Sequence, residues 1–192
     1  MKSLFFKNNK TLTVTTTALF IALGIIFPLV FHAVGLGSTF SPMHIPVILC
    51  GLICGATAGA IVGFVTPFLS SLLNGMPPIY PTAVAMSLEL AAYGFVAGLV
   101  LALLENKSPD GFFKKSRYVW SVVVCWIPAR LLFGLAMWIM LAASGQEYTF
   151  AMFVTATVLK AWPALVLQII AIPLIMFTLQ KAHVLQKYEQ TY

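Results

Sequence analysis

Long apolar blocks, broken only by short polar stretches, leave this chain few ways to fold. Apolar residues make up 60% of it and charged residues only 8%. A soluble domain has no use for so much hydrocarbon and cannot clothe its surface with so little charge. Blocks of this length read as membrane spans.

Four blocks, 14–31, 82–104, 118–142 and 153–179, are each near or above the ~20 residues of a membrane-crossing helix. A fifth block, 45–73, is too long for one span and short for two. Gly51, Gly55, Gly59 and Gly63 recur through it, and Pro67 follows. It divides into 45–57 and 59–73, with a turn near Gly55 to Gly59. Prolines 77, 78 and 81 remove backbone donors and clash with a preceding turn, so 74–81 reads as a loop. The sequence therefore predicts an all-α, polytopic membrane protein. It forms one domain over 1–192, a six-helix transmembrane bundle with both termini cytoplasmic.

Charge placement supports that count. Of the 11 Lys and Arg residues, all but Arg130 and Lys160 fall in the N-terminal tail, the 105–117 loop or the C-terminal tail. Six crossings put those three segments on one side, the cytoplasmic one, as expected for multi-pass proteins. The outer loops, about 32–44, 74–81 and 143–152, then carry no Lys or Arg. Basic residues beside spans argue against nucleic-acid binding, which needs them gathered on a soluble face. The first block continues well beyond a signal-peptide core without a small-x-small cleavage site, so it reads as a retained helix.

Few motifs for chemistry are present. Cys50 and Cys54 are four residues apart, but no third ligand is placed to complete a metal site. No glycine-rich phosphate loop ends in Lys-Ser/Thr, and no nucleophile has an evident base. The expectation is a non-enzyme without cofactor or metal.

Three ionisable side chains lie inside spans: Glu89, Arg130 and Lys160. Each costs at least ~2.5 kcal/mol at mid-bilayer, so each needs a cavity, a partner or a ligand. By helical rise, Glu89 and Lys160 lie ~10 Å below the outer starts of their helices, and Arg130 lies near mid-membrane. Two cations and one anion leave a positive excess suited to an anionic substrate, and Arg130 suits a planar carboxylate. The competing reading is a Glu89–Arg130 pair fixing helix register, with Lys160 snorkelling to the surface. Tyr93 and Trp126 each stand four residues from a buried charge and share its helix face. His44, Asn74, Tyr80, Gln146, Glu147 and Tyr148 occupy or border the outer loops. On the first helix Ala18 and Ala22, after Thr15, make a smooth strip that admits a close neighbour.

The Ala18/Ala22 helix and the segment 41–46 (SPMHIP) resemble the substrate-binding S components of energy-coupling factor (ECF) vitamin transporters. So do 51–55 (GLICG), 74–78 (NGMPP) and the Glu89 helix. The likeness runs over about 11–179. It implies a six-helix subunit that captures a vitamin from outside and docks on a transmembrane coupling (T) protein with two ATPases. It places Ala18 and Ala22 at the coupling protein. It puts the binding chamber under the loops holding His44, Asn74 to Tyr80 and Gln146 to Tyr148. The substrate nearest this likeness is pantothenate, whose carboxylate suits the positive excess and whose hydroxyls and amide suit Asn74, Tyr80 and Glu89. Riboflavin, biotin and folate are the alternatives within the class. A stand-alone carrier is the alternative outside it, although no internal repeat is evident. The expected location is a bacterial cell membrane.

Overall fold

In hydrocarbon a backbone has no water to bond, so each apolar block must satisfy its own polar groups by winding into helix. The computed structural model describes residues 10–33, 35, 42–107, 112–147, 149–155 and 161–181. Among them the helices are α1 (Lys10–Ala33), α2 (His44–Cys54), α3 (Ala56–Asn74), α4 (Val84–Lys107), α5 (Phe112–Ala143), α6 (Phe150–Val154) and α7 (Trp162–Lys181). A wound turn, Ile79–Ala83, leads into α4. Five of these stretches are long and apolar enough to cross a bilayer: Lys10–Phe31, Ala56–Asn74, Ile79–Glu105, Ser116–Ala143 and Trp162–Lys181. The chain is an all-α polytopic membrane protein.

Hydroxyls inside these helices bond locally. Thr17 donates to Thr13 O at 2.7 Å, Thr66 to Val62 O at 2.6 Å and Ser121 to Arg117 O at 2.9 Å. Each reaches back one turn, so these three hydroxyls are satisfied within their own helices.

The apolar block that follows α1 turns at Gly55, whose φ of +96° is closed to most side chains. On one side α2 has 11 residues, ~16 Å of helix, well short of the ~30 Å hydrocarbon core. Every one of those residues is buried. Helices α1, α3, α4 and α7 pack around it, which explains why it is apolar on all faces. The core is built on it: Ile48 and Leu52 sit with Leu90, Tyr93, Leu101, Tyr118, Ile172 and Met176.

Small residues bring α2, α3 and α4 into backbone contact. A Cβ on Gly51 would lie 2.2 Å from Gly94 O, one on Gly59 2.6 Å from Gly51 Cα, and one on Gly63 2.2 Å from Leu90 O. Reciprocally, a Cβ on Gly94 would meet Gly59 O at 2.3 Å, and one on Gly98 would meet Gly51 O at 2.5 Å. The glycine run seen in the sequence is thus half of a seam. The other half is Gly94 and Gly98, one turn apart on α4.

A polar knot ties the ends where α4 finishes, α5 begins and α7 finishes. Arg117 Nη1 donates to Glu105 Oε1 at 2.9 Å, and Nη2 donates to the Tyr118 hydroxyl at 3.0 Å. Gln180 Nε2 also donates to that hydroxyl, and the Phe177 ring meets the Tyr118 ring edge-on at 5.5 Å. These contacts fix the antiparallel register of α5 against both α4 and α7.

Candidate functional site

The site begins with the carboxylate of Glu89, buried early in α4. Two helices bring cations or donors to it. Arg130 Nη1, from α5, stands 3.0 Å from Glu89 Oε1. The approach lacks the alignment of a hydrogen bond, so this is an ion pair in charge and distance. His44 Nε2, from the first turn of α2, stands 3.6 Å from the same oxygen. Pro42 and Met43 form the turn that delivers His44, with Ile45 N bonding Pro42 O at 3.4 Å. One turn beyond Glu89, the Tyr93 ring meets the His44 ring edge-on, 4.9 Å between centroids at 79°. All four side chains are buried.

The Glu89–Arg130 pair neutralises itself. A buried pair of this kind gains little net stability over an apolar replacement, because both charges lose their water. Beside it and elsewhere in the bundle stand polar atoms without partners. Buried and unbonded are Arg130 Nε, Trp126 Nε1, the Tyr93 hydroxyl, Gln168 Oε1 and, at the end of α3, Asn74 Nδ2. Such atoms are costly in a protein interior and more so within a bilayer. Arg130 and Trp126 are one turn apart on α5, and Glu89 and Tyr93 are one turn apart on α4, so two facing stripes frame the cluster. N–H donors predominate, and they can bind acceptor oxygens such as those of a carboxylate or carbonyl.

Of the residues singled out in the sequence, His44, Glu89, Tyr93 and Arg130 come together, with Trp126 on Arg130's stripe. Asn74, Tyr80 and Glu147 lie apart from them. From the Gly55 turn α3 climbs ~27 Å to Asn74 while α2 climbs only ~15 Å to His44, which sets Asn74 ~12 Å beyond the cluster. The exposed Tyr80 has its hydroxyl engaged by Met140 O and, at 2.8 Å, by Ser144 Oγ. It ties the proline-rich segment to the end of α5. Glu147 is exposed in the segment after α5. Lys160 and Tyr148 lie outside the described residues. Thr15, Ala18 and Ala22 are exposed along one face of α1, and the Thr15 hydroxyl donates to Thr11 O at 2.9 Å.

Gln168 escapes a search for charges alone. It is a neutral amide in an otherwise apolar helix, buried on the seam Ala164, Gln168, Ile172 and Met176 of α7. Its signal in the sequence was polarity without charge, deep within a span.

A family model described as "ECF transporter, substrate-specific component" matches residues 12–185. Comparison with curated proteins and with solved structures gives no match.

Proposed function

From its membership of the ECF transporter substrate-specific component family, to which this chain belongs, we propose that it captures a small acidic vitamin from outside the cell, with pantothenate the best fit. The chain is a membrane-embedded, non-catalytic subunit of small-molecule uptake. One observation carries the substrate reading. A buried guanidinium, Arg130, keeps its Nε unbonded while Nη1 meets Glu89, and the Trp126 indole N–H one turn away is unbonded too. An acceptor-rich anion answers both donors, and a carboxylate matches the planar geometry of a guanidinium. Lys160 would add a second cation. Asn74, Tyr80 and Glu147 belong to the roof over the chamber, with Tyr80 holding the roof loop to α5.

The same reading counts six crossings, with α2 and α3 as a hairpin about Gly55 and both termini in the cytoplasm of a bacterial cell. The basic segments at both ends and between α4 and α5 support it. Thr15, Ala18 and Ala22 then offer the transmembrane coupling protein and its two ATPases a smooth lipid-facing strip.

A second reading, an uncharged ligand such as riboflavin, rests on the self-neutralised Glu89–Arg130 pair. Calorimetric titration of the purified chain with pantothenate, and with pantothenol as its uncharged counterpart, separates the two. Losing a charged hydrogen bond costs ~1.5–3 kcal/mol, so pantothenate should bind about tenfold to a hundredfold more tightly. Equal affinities would retire the acidic-substrate reading, and no affinity for either would retire pantothenate itself.

A further inference from the structure

We infer that Gln168 of α7 is a specificity-determining contact whose carbonyl oxygen accepts a hydrogen bond from a hydroxyl or N–H of the substrate. The inference rests on the reading that the Glu89–Arg130 cluster binds a small molecule. It adds a requirement that the cluster does not impose, namely a hydrogen-bond donor on the ligand.

Burial and bonding give the first ground. Gln168 is 1% exposed, and its Oε1 is buried with no hydrogen-bond partner. A glutamine used only to hold helices together would have that oxygen bonded across the interface. Its neighbours along the buried face of α7 are Ala164, Ile172 and Met176, none of which carries a side-chain donor. Apolar packing alone would be served by another aliphatic residue.

Height in the bundle gives the second. The Tyr118 knot sets α5 against α7, through the Phe177 ring and the Gln180 amide. Measured up the helices from that knot, Arg130 stands ~18 Å above Tyr118, and Gln168 stands ~14 to 18 Å above the same ring. The two therefore share a level on helices packed against each other. Helix α7 also packs on α2, the helix that supplies His44. Gln168 thus stands at the level of the cluster, on a helix packed against two of the three that supply it.

Chemistry gives the substrate class. Arg130 Nε and Trp126 Nε1 can only donate, so they call for acceptors on the ligand. A glutamine carbonyl oxygen can only accept, so it calls for a donor. The molecule that satisfies both is a carboxylate or carbonyl compound that also carries a hydroxyl or amide N–H. A simple fatty acid answers the first requirement and fails the second. A site built around a polar group discriminates strongly against ligands that leave it unpaired.

The test is a thermal-unfolding series on the purified full chain and its Gln168→Met variant, which keeps length and loses the carbonyl. Each is melted alone and with pantothenate, biotin, folate or riboflavin added separately, and affinity is then titrated for any compound that stabilises the wild type. The expected result has two parts. Without ligand, Gln168→Met melts at or above the wild-type temperature, because a buried unbonded carbonyl has been removed. With the stabilising compound, its affinity falls about tenfold or more. Equal affinity in both proteins would overturn the role of Gln168 while leaving the binding site standing. A ligand-free variant that melts well below wild type would overturn it too, by showing a structural amide. If no compound stabilises even the wild type, the vitamin-binding reading fails and takes this inference with it.

Discussion

Arg130 and Glu89 are more useful for what they forbid than for what they hold up. Removing one partner strands a charge away from water, which costs about 3–5 kcal/mol. Arg130→Met or Glu89→Leu alone should therefore lower the unfolding free energy in detergent by that much. The double substitution should recover most of the loss, because an apolar pair of similar volume replaces an ion pair at little net cost. A double variant as unstable as the sum of the singles would mean that the two charges depend on other partners. These two residues were legible as a buried charge problem from the sequence, since ionised groups stand out in apolar spans. Their pairing was one of two readings, and spacing along separate helices cannot choose between them. The 3.0 Å contact shows the pair, and it leaves Arg130 Nε unbonded. Gln168 stayed hidden because an uncharged amide costs less to bury than a charge and so attracts less notice. Tyr80 drew attention as a polar aromatic in an outer loop, yet its hydroxyl is spent on Met140 O and Ser144 Oγ, 60 and 64 residues away in sequence.

Between elements, the glycine seam sets how closely α2, α3 and α4 approach. The run Gly51, Gly55, Gly59 and Gly63 was visible as a run at spacing four, but a run cannot say what it faces. The structure gives Gly55 a different task from the others: it turns the chain, while Gly51, Gly59 and Gly63 receive the backbone of α4. Gly94→Ala would place a methyl carbon 2.3 Å from Gly59 O, against backbone that cannot swing aside. Overpacking of this sort costs about 1–3 kcal/mol or more, and here it would also lever α4 away from α3 and so disturb its seat on α2, which packs against both. The expected outcome is a lower melting temperature together with weaker ligand binding, because His44 on α2 and Glu89 on α4 would part. Binding retained in a destabilised Gly94→Ala would show that the cluster does not rely on the seam. The Tyr80 tie makes a gentler prediction. Tyr80→Phe should raise hydrogen exchange across 75–83 while changing global stability by about 1 kcal/mol or less, as for one exposed hydrogen bond. Unchanged exchange would leave the loop held by Ser70, whose hydroxyl bonds Met76 O at 2.9 Å.

For the whole molecule, the question is which surface meets lipid alone and which meets another protein. Composition cannot answer it, because both surfaces are apolar, and small residues pack equally well inside a bundle or against a partner. Burial separates the inward small residues from the outward ones. The seam glycines face α4, whereas Thr15, Ala18 and Ala22 face outward from α1, a helix whose apolar stretch is only 11% buried within the chain. An exposed side chain can be enlarged without disturbing the core. Ala18→Trp and Ala22→Trp should therefore leave the melting temperature and the ligand affinity of the isolated chain close to wild type. In cells that also express a coupling protein and its ATPases, the same variants should lose most uptake, because a large ring holds two helices apart where small residues would let them touch. Both measurements are needed, since uptake falls for a misfolded chain as well. Wild-type uptake by Ala18→Trp and Ala22→Trp would move the docking surface elsewhere on the bundle. Lost binding in the isolated chain would instead tie this outer face of α1 to the chamber, a coupling that the exposure of these side chains gives no reason to expect.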